Sequence, residues 1–397
     1  MEIPLTNFNL QPPAPVVRRP RWNRHRWARA ATARALPAVL LPAALAAACV
    51  LLASLARGYI NSVAANGDNY VYALIAGAIR AGRLAEIGTV KQFWGLPYAM
   101  VLTGLTLRVD AYQAIAIISV VSMLLTVGLA SVIWSRRVAS FFVVTNYTFL
   151  QFGVFGGAEG LFLALLFLSF FLARRGNWAW AAVAAAAATT VRPLGGLALL
   201  AYVTCLLGKR HYKSAIAVAA CGLVILVLYG FPIYTQLGDP LANFHGYQST
   251  DWHNQWPLGF PFAAIIENFR TRQNIAGSTM LGAKAAYVAA HVLLMAGAVA
   301  IRARRKRLFL RPQEGLFVCL YSAFMLLYNA PDWALSIYPR LLLPISPLLL
   351  DVFRCRLPRS RALLAALAVL VVLFACGTNL GLGALLTVSG LTKLFRP

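Results

Sequence analysis

The chain alternates between long apolar stretches and short polar connections. Runs of this length approach the ~20 residues that cross a hydrocarbon core of ~30 Å as a helix. Hydrophobic residues make up 60% of the chain, against about 45–50% apolar residues in a typical soluble domain. The pattern predicts an all-α polytopic membrane protein with about 11 (10–12) transmembrane helices. The predicted spans cover residues 36–56, 112–134, 138–155, 160–173, 178–191, 194–208, 214–231, 283–301, 315–329, 341–353 and 362–377.

Positive charge is concentrated in every second connection between the predicted spans. The formal net charge is +25, and 24 of the 36 Lys and Arg residues lie in the N-terminal tail and five short loops. Such loops are typical of the cytoplasmic side. We therefore predict a cytoplasmic N-terminus, with residues 1–35 as a basic tail on anionic lipid and 36–397 as one integral-membrane domain. An RNA-binding tail is the weaker interpretation, and no nucleic-acid partner is predicted.

The acidic residues follow the opposite distribution. This topology places eight of the 11 Asp and Glu residues outside the membrane and three inside. Acids contribute little to topology selection, so polar chemistry on the extracytoplasmic face is the explanation we favour. The six cysteines show neither metal-ligand spacing nor a disulfide pattern.

Two predicted outer segments, residues 57–111 and 232–282, are long enough to form an active-site face. The first contains "GDNYVYALIAGAIRAGR", in which apolar residues share one helical face. This spacing is typical of a helix that lies on a membrane. The second segment, with "GDPLANFHGYQSTDWHNQWPLGFPF", is rich in aromatic and amide residues suited to the membrane–water interface.

Asp68 and Glu159 are the acids that stand at the start of apolar helices. Asp68 follows "AANG", where a carboxylate could cap the helix or serve as a general base, and one side chain could do both. Glu159 follows two glycines, which allow a sharp turn. It too could serve the helix dipole, or bind polar groups of a substrate.

Two arginines stand at predicted outer ends of spans, Arg192 before Pro193 and Arg340 after Pro339. Each could extend its side chain to the membrane surface or bind a phosphate with its planar fork. His253, beside Trp252, is either an ordinary interfacial histidine or a donor to phosphate. Asp251 also fits a turn.

The order of these motifs resembles the GT-C superfamily of membrane glycosyltransferases that use polyprenyl-phosphate sugars. The likeness runs through "GDNYVYALIA" with "FWGLPYAMVLTGLTL", then "GGAEGLFLALLFLSFFLARRG" with "TTVRPLGG", then "YTQLGDPLANFHGYQSTDW" and "YPRLLLPISPLLL". The last two stretches are most similar to the branch related to the second mannosyltransferase of GPI-anchor assembly, which has bacterial relatives.

The resemblance implies a GT-C-like bundle and an inverting transfer of one sugar, with mannose favoured. The donor would be a polyprenyl-phosphate sugar and the acceptor a lipid, glycan or protein hydroxyl, on the periplasmic side of a bacterial inner membrane. No metal cofactor is required, because a lone Asp is a poor divalent-cation site, and a metal held by Asp68 together with Glu159 is the disfavoured alternative. The implied site consists of Asp68 as base, Glu159, Tyr70, Asp251, Trp252 and His253 as substrate contacts, and Arg192, Arg340 and Arg270 as phosphate ligands.

Two other functions fit the same composition, and so does a purely structural membrane protein, although the eight outward acids favour it less. A lipid-linked sugar transporter or flippase would have charges deep inside spans or helices broken near the midplane, whereas the runs read as uninterrupted with charges at their ends. A transferase of the O-antigen-ligase type would take a diphosphate-linked glycan. Donor specificity separates that enzyme from the monophosphate-dependent one.

Overall fold

The structure, a computed structural model, describes residues 24–56, 58–250, 256–271, 281–305, 310–330 and 334–379. The predicted all-α fold is confirmed for these residues, in which the only β-type pairing is an isolated bridge between Leu258 and Tyr328. The helices are α1 Arg24–Ala56, α2 Tyr59–Ala64, α3 Asn69–Ala81, α4 Gly95–Leu107, α5 Ala111–Ile133, α6 Arg136–Thr145, α7 Tyr147–Val154, α8 Ala158–Arg174, α9 Trp178–Val191, α10 Gly196–Gly208, α11 Tyr212–Leu237, α12 Ala242–Thr250, α13 Ala263–Thr271, α14 Leu281–Arg305, α15 Pro312–Leu327, α16 Tyr338–Leu341, α17 Ser346–Val352 and α18 Arg361–Asn379.

Each predicted span coincides with a helix or a pair of helices, but the helices differ in length. Within the described residues, four are long and apolar enough to cross a membrane alone: Ala38–Ala56, Ala111–Ile133, Tyr212–Leu237 and Lys284–Ile301. A bent pair formed by α7 and α8 would make a fifth. The chain therefore has the helices of a membrane protein, and several apolar helices between them are shorter than a bilayer core.

Several apolar runs are interrupted. Helices α7 and α8 meet at 108° across residues 155–157. The run 138–155 also breaks at Asn146, and the run 341–353 breaks between Leu341 and Ser346. The bend at 155–157 lies between two predicted spans, whereas the breaks at Asn146 and after Leu341 fall inside predicted spans. The expectation of uninterrupted runs is therefore wrong at these two breaks. The two breaks contact each other, because the Ser346 hydroxyl donates to the Asn146 side-chain oxygen at 3.3 Å.

Helices α6 to α8 leave one end of the bundle and return to the same end. Arg174, in the last turn of α8, donates to the carbonyl of Ile133 at the end of α5. It also pairs with Glu314 at the start of α15 through bonds of 2.5 and 2.7 Å. Arg311 in turn donates to the Arg174 carbonyl at 2.7 Å. These three charged side chains form what we call the Glu314 cluster.

Helix α3 packs against the protein through one face and exposes the other. Ile75 is buried with Leu84 and Trp94, whereas Leu74 on the neighbouring face is 49% exposed. Gly82 ends the helix in the left-handed conformation, which glycine adopts without a steric penalty. The predicted helix is therefore present, with its buried face turned toward α4 and α11.

Candidate functional site

The site is built on two turns that hydrogen-bond to each other. Asn66 donates to the carbonyl of Gly156 at 2.6 Å, and Asn69 donates to that of Phe155 at 2.8 Å. Gln151 donates to the Asn66 side-chain oxygen at 3.1 Å. Both asparagines are buried. The turn before α3 is thereby fixed to the turn before α8, although about 90 residues of chain separate them.

The turn before α8 needs two glycines. Gly156 and Gly157 have φ of 87° and 150°, values that residues with a side chain rarely adopt. A Cβ atom on Gly156 would lie 2.6 Å from the Asn69 amide nitrogen, and one on Gly157 would lie 2.6 Å from Oε2 of Glu159. The absence of side chains therefore allows Glu159, in the first turn of α8, to be buried beside the α3 turn.

Proline places the first arginine. The residue before a proline is excluded from the helical conformation by the pyrrolidine ring, and Arg192 accordingly has φ −146° and ψ 129° and ends α9. Its guanidinium group pairs with Oε1 of Glu159. The side chain of Glu159 is only 3% exposed. A buried carboxylate of this kind requires such a partner.

The second arginine, Arg340, joins the two acids. Its Nε donates to the same Oε1 atom of Glu159. One terminal nitrogen lies 3.8 Å from Oδ2 of Asp68. The guanidinium group stacks over the ring of Phe152, 4.4 Å from the ring centre. We call Asp68, Glu159, Arg192 and Arg340 the Asp68 cluster.

Asp68 occupies the N-cap position of α3, but its side chain makes no capping hydrogen bond. The expectation that it caps the helix is therefore wrong. One carboxylate oxygen instead accepts from the Gln92 amide at 3.4 Å, and the other faces Arg340. With a side chain 37% exposed, Asp68 is far more accessible than Glu159.

Gln92 is a functional candidate that the sequence did not reveal, because the residues that hold its backbone in place are distant in the sequence. Asn243, buried in α12, donates to the carbonyls of Val90 and Gln92 at 3.0 and 2.8 Å. Tyr229 donates to Asn243 at 3.0 Å and accepts from the backbone N–H of Trp94 at 3.0 Å. The second predicted outer segment thus positions the first one beside Asp68.

The cluster is recessed along the bundle. Ser119 donates to the carbonyl of Gly157 at 3.4 Å, so the start of α8 lies level with Ser119. Helix α5 begins at Ala111, and eight residues of α-helix correspond to about 12 Å. The charged side chains do stand at helix ends, as predicted, but those ends lie well inside the length of α5.

Hydrogen bonding in the cluster is incomplete. Oε2 of Glu159 and Nε of Arg192 are buried and have no hydrogen-bond partner among the described residues. Both side chains line a small cavity with Arg340 and Tyr321, which has room for about one water molecule. Unsatisfied buried polar atoms are rare in native proteins and call for an explanation. Both atoms belong to side chains of the Asp68 cluster.

The remaining predicted residues are distributed differently. Tyr70 is 59% exposed on α3, while the neighbouring Tyr72 is 5% exposed. Burial, followed by the nearby Asp68 charge, raises the pKa of Tyr72. Tyr72, rather than Tyr70, therefore lies beside the Asp68 cluster, and its hydroxyl group remains protonated.

Arg270 is exposed in the last turn of α13 and forms no ion pair with any residue that the structure describes. The predicted substrate contacts Asp251, Trp252 and His253 lie outside the described residues. Within the described ranges, no three His, Cys, Asp or Glu side chains come together as a metal site. That no metal is required stays a prediction.

No protein-family model, curated protein or solved structure matches the chain. Function is therefore inferred from the geometry of the Asp68 cluster.

Proposed function

We propose that the protein is an inverting glycosyltransferase that moves one sugar, with mannose favoured, from a polyprenyl-phosphate donor to an acceptor hydroxyl. The observation that carries the proposal is Arg340, which contacts an accessible carboxylate, Asp68, and a buried one, Glu159, in a recessed site. The arrangement places a base and a phosphate-binding cation beside each other. Both are needed where a phosphate leaves a sugar as a hydroxyl attacks it.

Asp68 is the better candidate for the base. Glu159 is enclosed and its Oε1 atom is shared by two guanidinium groups, so its role is to hold Arg192 and Arg340 in place. Asp68 is more exposed and has a long contact with Arg340 and a weak one with Gln92. It can therefore accept a proton without breaking the centre of the cluster.

In the proposed step, the acceptor oxygen forms a bond to the anomeric carbon while the bond from that carbon to the phosphate oxygen breaks. The hydroxyl proton passes to Asp68, and the polyprenyl phosphate leaves with one further negative charge. Arg340 faces both the carboxylate that loses its charge and the place where charge increases. A positioned base of this kind contributes about 10²–10⁴-fold, and a charge-stabilising donor a further 10²–10³-fold, roughly.

The unsatisfied atoms fit the same substrate. Nε of Arg192 is a free donor for a phosphate oxygen, and Oε2 of Glu159 is a free acceptor for a sugar hydroxyl. A substrate that supplied both would complete the hydrogen bonding of the site. Entry of a phosphate into the small cavity would require the Arg340 side chain to move away from Glu159.

This function suits a GT-C-like bundle of about 11 (10–12) spans with α3 as an interfacial helix. The basic ends at the Glu314 cluster favour the cytoplasmic side for that end. The Asp68 cluster then faces the periplasm of a bacterial inner membrane, recessed where a lipid-linked substrate can reach it from the bilayer. Metal is not part of the proposed step.

The test is transfer of labelled mannose from synthetic polyprenyl-phosphate mannose into membrane products by the protein in proteoliposomes. Asp68→Asn should lower turnover by about 10²-fold or more. Asp110→Asn is the matched control, because Asp110 caps α5 with a bond of 2.8 Å to Gln113, and asparagine caps nearly as well. This control should behave as wild type.

Near wild-type transfer by Asp68→Asn would overturn the assignment of the base. Transfer only from a diphosphate-linked glycan would favour the O-antigen-ligase type of enzyme. Mannolipid formed on the cytoplasmic side of oriented vesicles would contradict the proposed orientation.

A transporter of lipid-linked sugars is the second candidate, and the broken helices favour it. The start of α8 after a 108° bend, with a charged residue in its first turn, resembles the interrupted helices of transporters. Labelled lipid-linked sugar that crosses the vesicle membrane without a new glycosidic bond would support this function. In that case Asp68→Asn would lower flux, and no polyprenyl phosphate would be released.

A further inference from the structure

We infer that His291, through the hydroxyl group of Tyr338, is a positioning residue that fixes the Arg340 guanidinium group against Glu159. The inference rests on the proposed function, since it assigns a role in binding the donor phosphate. It adds a residue more than 40 positions away from Arg340 that contributes through hydrogen bonds rather than by contact with substrate.

Helix α16, which carries Arg340, cannot hold its own position. It has four residues, Tyr338–Leu341. A single helical turn is unstable in isolation because the conformational entropy lost in forming it exceeds the gain from its one hydrogen bond. Its place in the fold must therefore come from neighbouring elements. The contacts of its first residues show which elements these are.

Three elements hydrogen-bond to this turn and to the residues before it. His291 Nδ1 lies 2.6 Å from the Tyr338 hydroxyl oxygen. The Thr148 hydroxyl on α7 donates to the carbonyl of Pro339 at 3.2 Å. Asn268 on α13 accepts from the backbone N–H groups of Leu335 and Ser336, both at 3.1 Å. The bond from His291 is the shortest of these and comes from α14.

His291 is itself held on both sides. Its side chain is completely buried, and Nε2 lies 3.0 Å from the Ser322 hydroxyl on α15. Both ring nitrogens therefore face hydroxyl groups, which can donate or accept and so satisfy a neutral imidazole in either tautomer. A polar side chain enclosed in this way is costly unless every bond is made. The imidazole thus locks Tyr338 between α14 and α15.

The position of Tyr338 is transmitted to Arg340 through two residues of backbone. Arg340 needs a narrow range of positions, because its Nε contacts Glu159 while its plane stacks over Phe152. A planar fork loses affinity for a phosphate when it is misaligned. Loss of the Tyr338 hydroxyl bond should therefore weaken phosphate binding without removing any group that contacts the substrate.

The experiment measures the affinity of the full chain in detergent for farnesyl phosphate, a polyprenyl monophosphate without sugar. Tyr338→Phe should bind roughly threefold to tenfold more weakly than wild type, the effect expected for one buried hydrogen bond. His291→Leu should give the same loss, and His291→Asn, which keeps an amide near the Nδ1 position, should recover part of it. The double variant of Tyr338→Phe with His291→Leu should lose no more than either alone.

Tyr287→Phe is the matched control. Tyr287 lies on the same helix as His291, and its hydroxyl donates to the carbonyl of Thr145 at 2.9 Å. This change removes one hydroxyl bond of α14 that does not lead to Arg340, so farnesyl phosphate affinity should not change.

A readout without ligand separates this inference from the proposed function. The NMR resonance of the Arg340 Nε–H group, identified by its loss in Arg340→Lys, should shift in Tyr338→Phe and not in Tyr287→Phe. An unchanged resonance in Tyr338→Phe would overturn the positioning role. If the resonance shifts but Arg340→Lys binds farnesyl phosphate as tightly as wild type, the positioning role holds and the proposed phosphate site is wrong. Equal loss of affinity from Tyr338→Phe in the wild-type and Arg340→Lys backgrounds would show that Tyr338 acts through the fold, not through Arg340.

Discussion

The two ends of helix α8 carry a glutamate–arginine cluster each, and the clusters are built differently. At one end, Arg174 spans both oxygens of Glu314, and the backbone N–H of Arg311 lies 3.4 Å from one of them. At the other end, two guanidinium groups share a single oxygen of Glu159, and the second oxygen has no partner among the described residues. The carboxylates are equally buried.

This difference separates a structural ion pair from a candidate site. A buried pair with a bidentate geometry satisfies its own charges and needs nothing further. The Asp68 cluster has an unused donor, an unused acceptor and an accessible second acid, so it keeps hydrogen-bonding capacity that the Glu314 cluster lacks. Burial alone would not have distinguished the two glutamates, whereas the number of satisfied oxygens does.

The largest effect is expected on the turnover of sugar transfer when Glu159 and Glu314 are each changed to glutamine. Glu159→Gln removes the charge that holds Arg192 and Arg340, so sugar transfer should fall by about 10²-fold or more. Glu314→Gln should leave the turnover of folded protein within about twofold and lower the unfolding free energy by about 3 kcal/mol, because it leaves Arg174 without its counter-ion. Transfer assays and thermal unfolding in detergent measure both. Equal loss of turnover in the two variants would remove the distinction between the clusters.

A smaller effect is expected when each arginine is changed to lysine. Arg340→Lys loses the planar stack on Phe152 and the fork, and should weaken donor binding by about tenfold. Arg174→Lys cannot span Glu314 and should cost about 1–2 kcal/mol of stability with unchanged donor affinity. Equilibrium binding of polyprenyl-phosphate mannose and denaturation in detergent provide the two measurements. Unaltered donor binding in Arg340→Lys would exclude Arg340 as a phosphate ligand.

The glycines at the two ends of α8 give a third comparison. Gly156→Ala places a Cβ at positive φ and 2.6 Å from the Asn69 amide, so the turn that carries Asp68 must shift. Gly176→Ala also has positive φ but meets open space, so it incurs only the backbone strain of about 1–2 kcal/mol. We expect transfer to fall several-fold more in Gly156→Ala than in Gly176→Ala, and thermal stability to fall more as well, because the clash adds to the backbone strain. The same assay on both proteins decides this, and equal activity would show that the turn tolerates displacement.

The smallest effect concerns an exposed pair outside both clusters. Asp239 and His245 lie 2.6 Å apart through Oδ2 and Nδ1. Slight burial raises the pKa of Asp239, but hydrogen bonds from the Leu241 N–H and from His245 outweigh it, so the pKa is lowered. The stabilisation is therefore present at neutral pH and is lost as pH falls below the unfolded value of about 3.9 and through the folded pKa.

Because this pair is solvated, its contribution should be below about 1 kcal/mol. Denaturation of wild type and Asp239→Asn should differ slightly at neutral pH and converge in acid. A difference that grew as pH fell would contradict the lowered pKa.

Local sequence signals predicted the helices well because they depend on nearby residues. Apolar runs, Pro193 and the paired glycines before Glu159 mark where helices begin and end, and the structure follows them. The breaks at Asn146 and after Leu341 were missed, although Asn146 and Pro344 are residues that locally disfavour a continuous helix. They are held by contacts between two distant segments.

The candidate site was predicted in part. Asp68, Glu159, Arg192 and Arg340 were named from the sequence, and the structure brings these four together. The capping role of Asp68 was wrong, because an N-cap residue can turn its side chain away when distant donors compete. Gln92 and Tyr72 were missed, since nothing in their local spacing indicates that Asn243 or burial would place them there.

The sequence by itself determined an all-α chain with membrane-length apolar helices and a strong separation of charges, because hydropathy, helix breakers and charge are properties of short windows. Only the tertiary structure decided how deep the charged side chains lie in the helix bundle and which side chains they pair with. Glu159 lies level with Ser119, and two arginines 33 and 181 residues away share one of its oxygens. Such pairings depend on how helices pack. The incomplete hydrogen bonding that distinguishes the Asp68 cluster from the Glu314 cluster therefore appears only once the chain is folded.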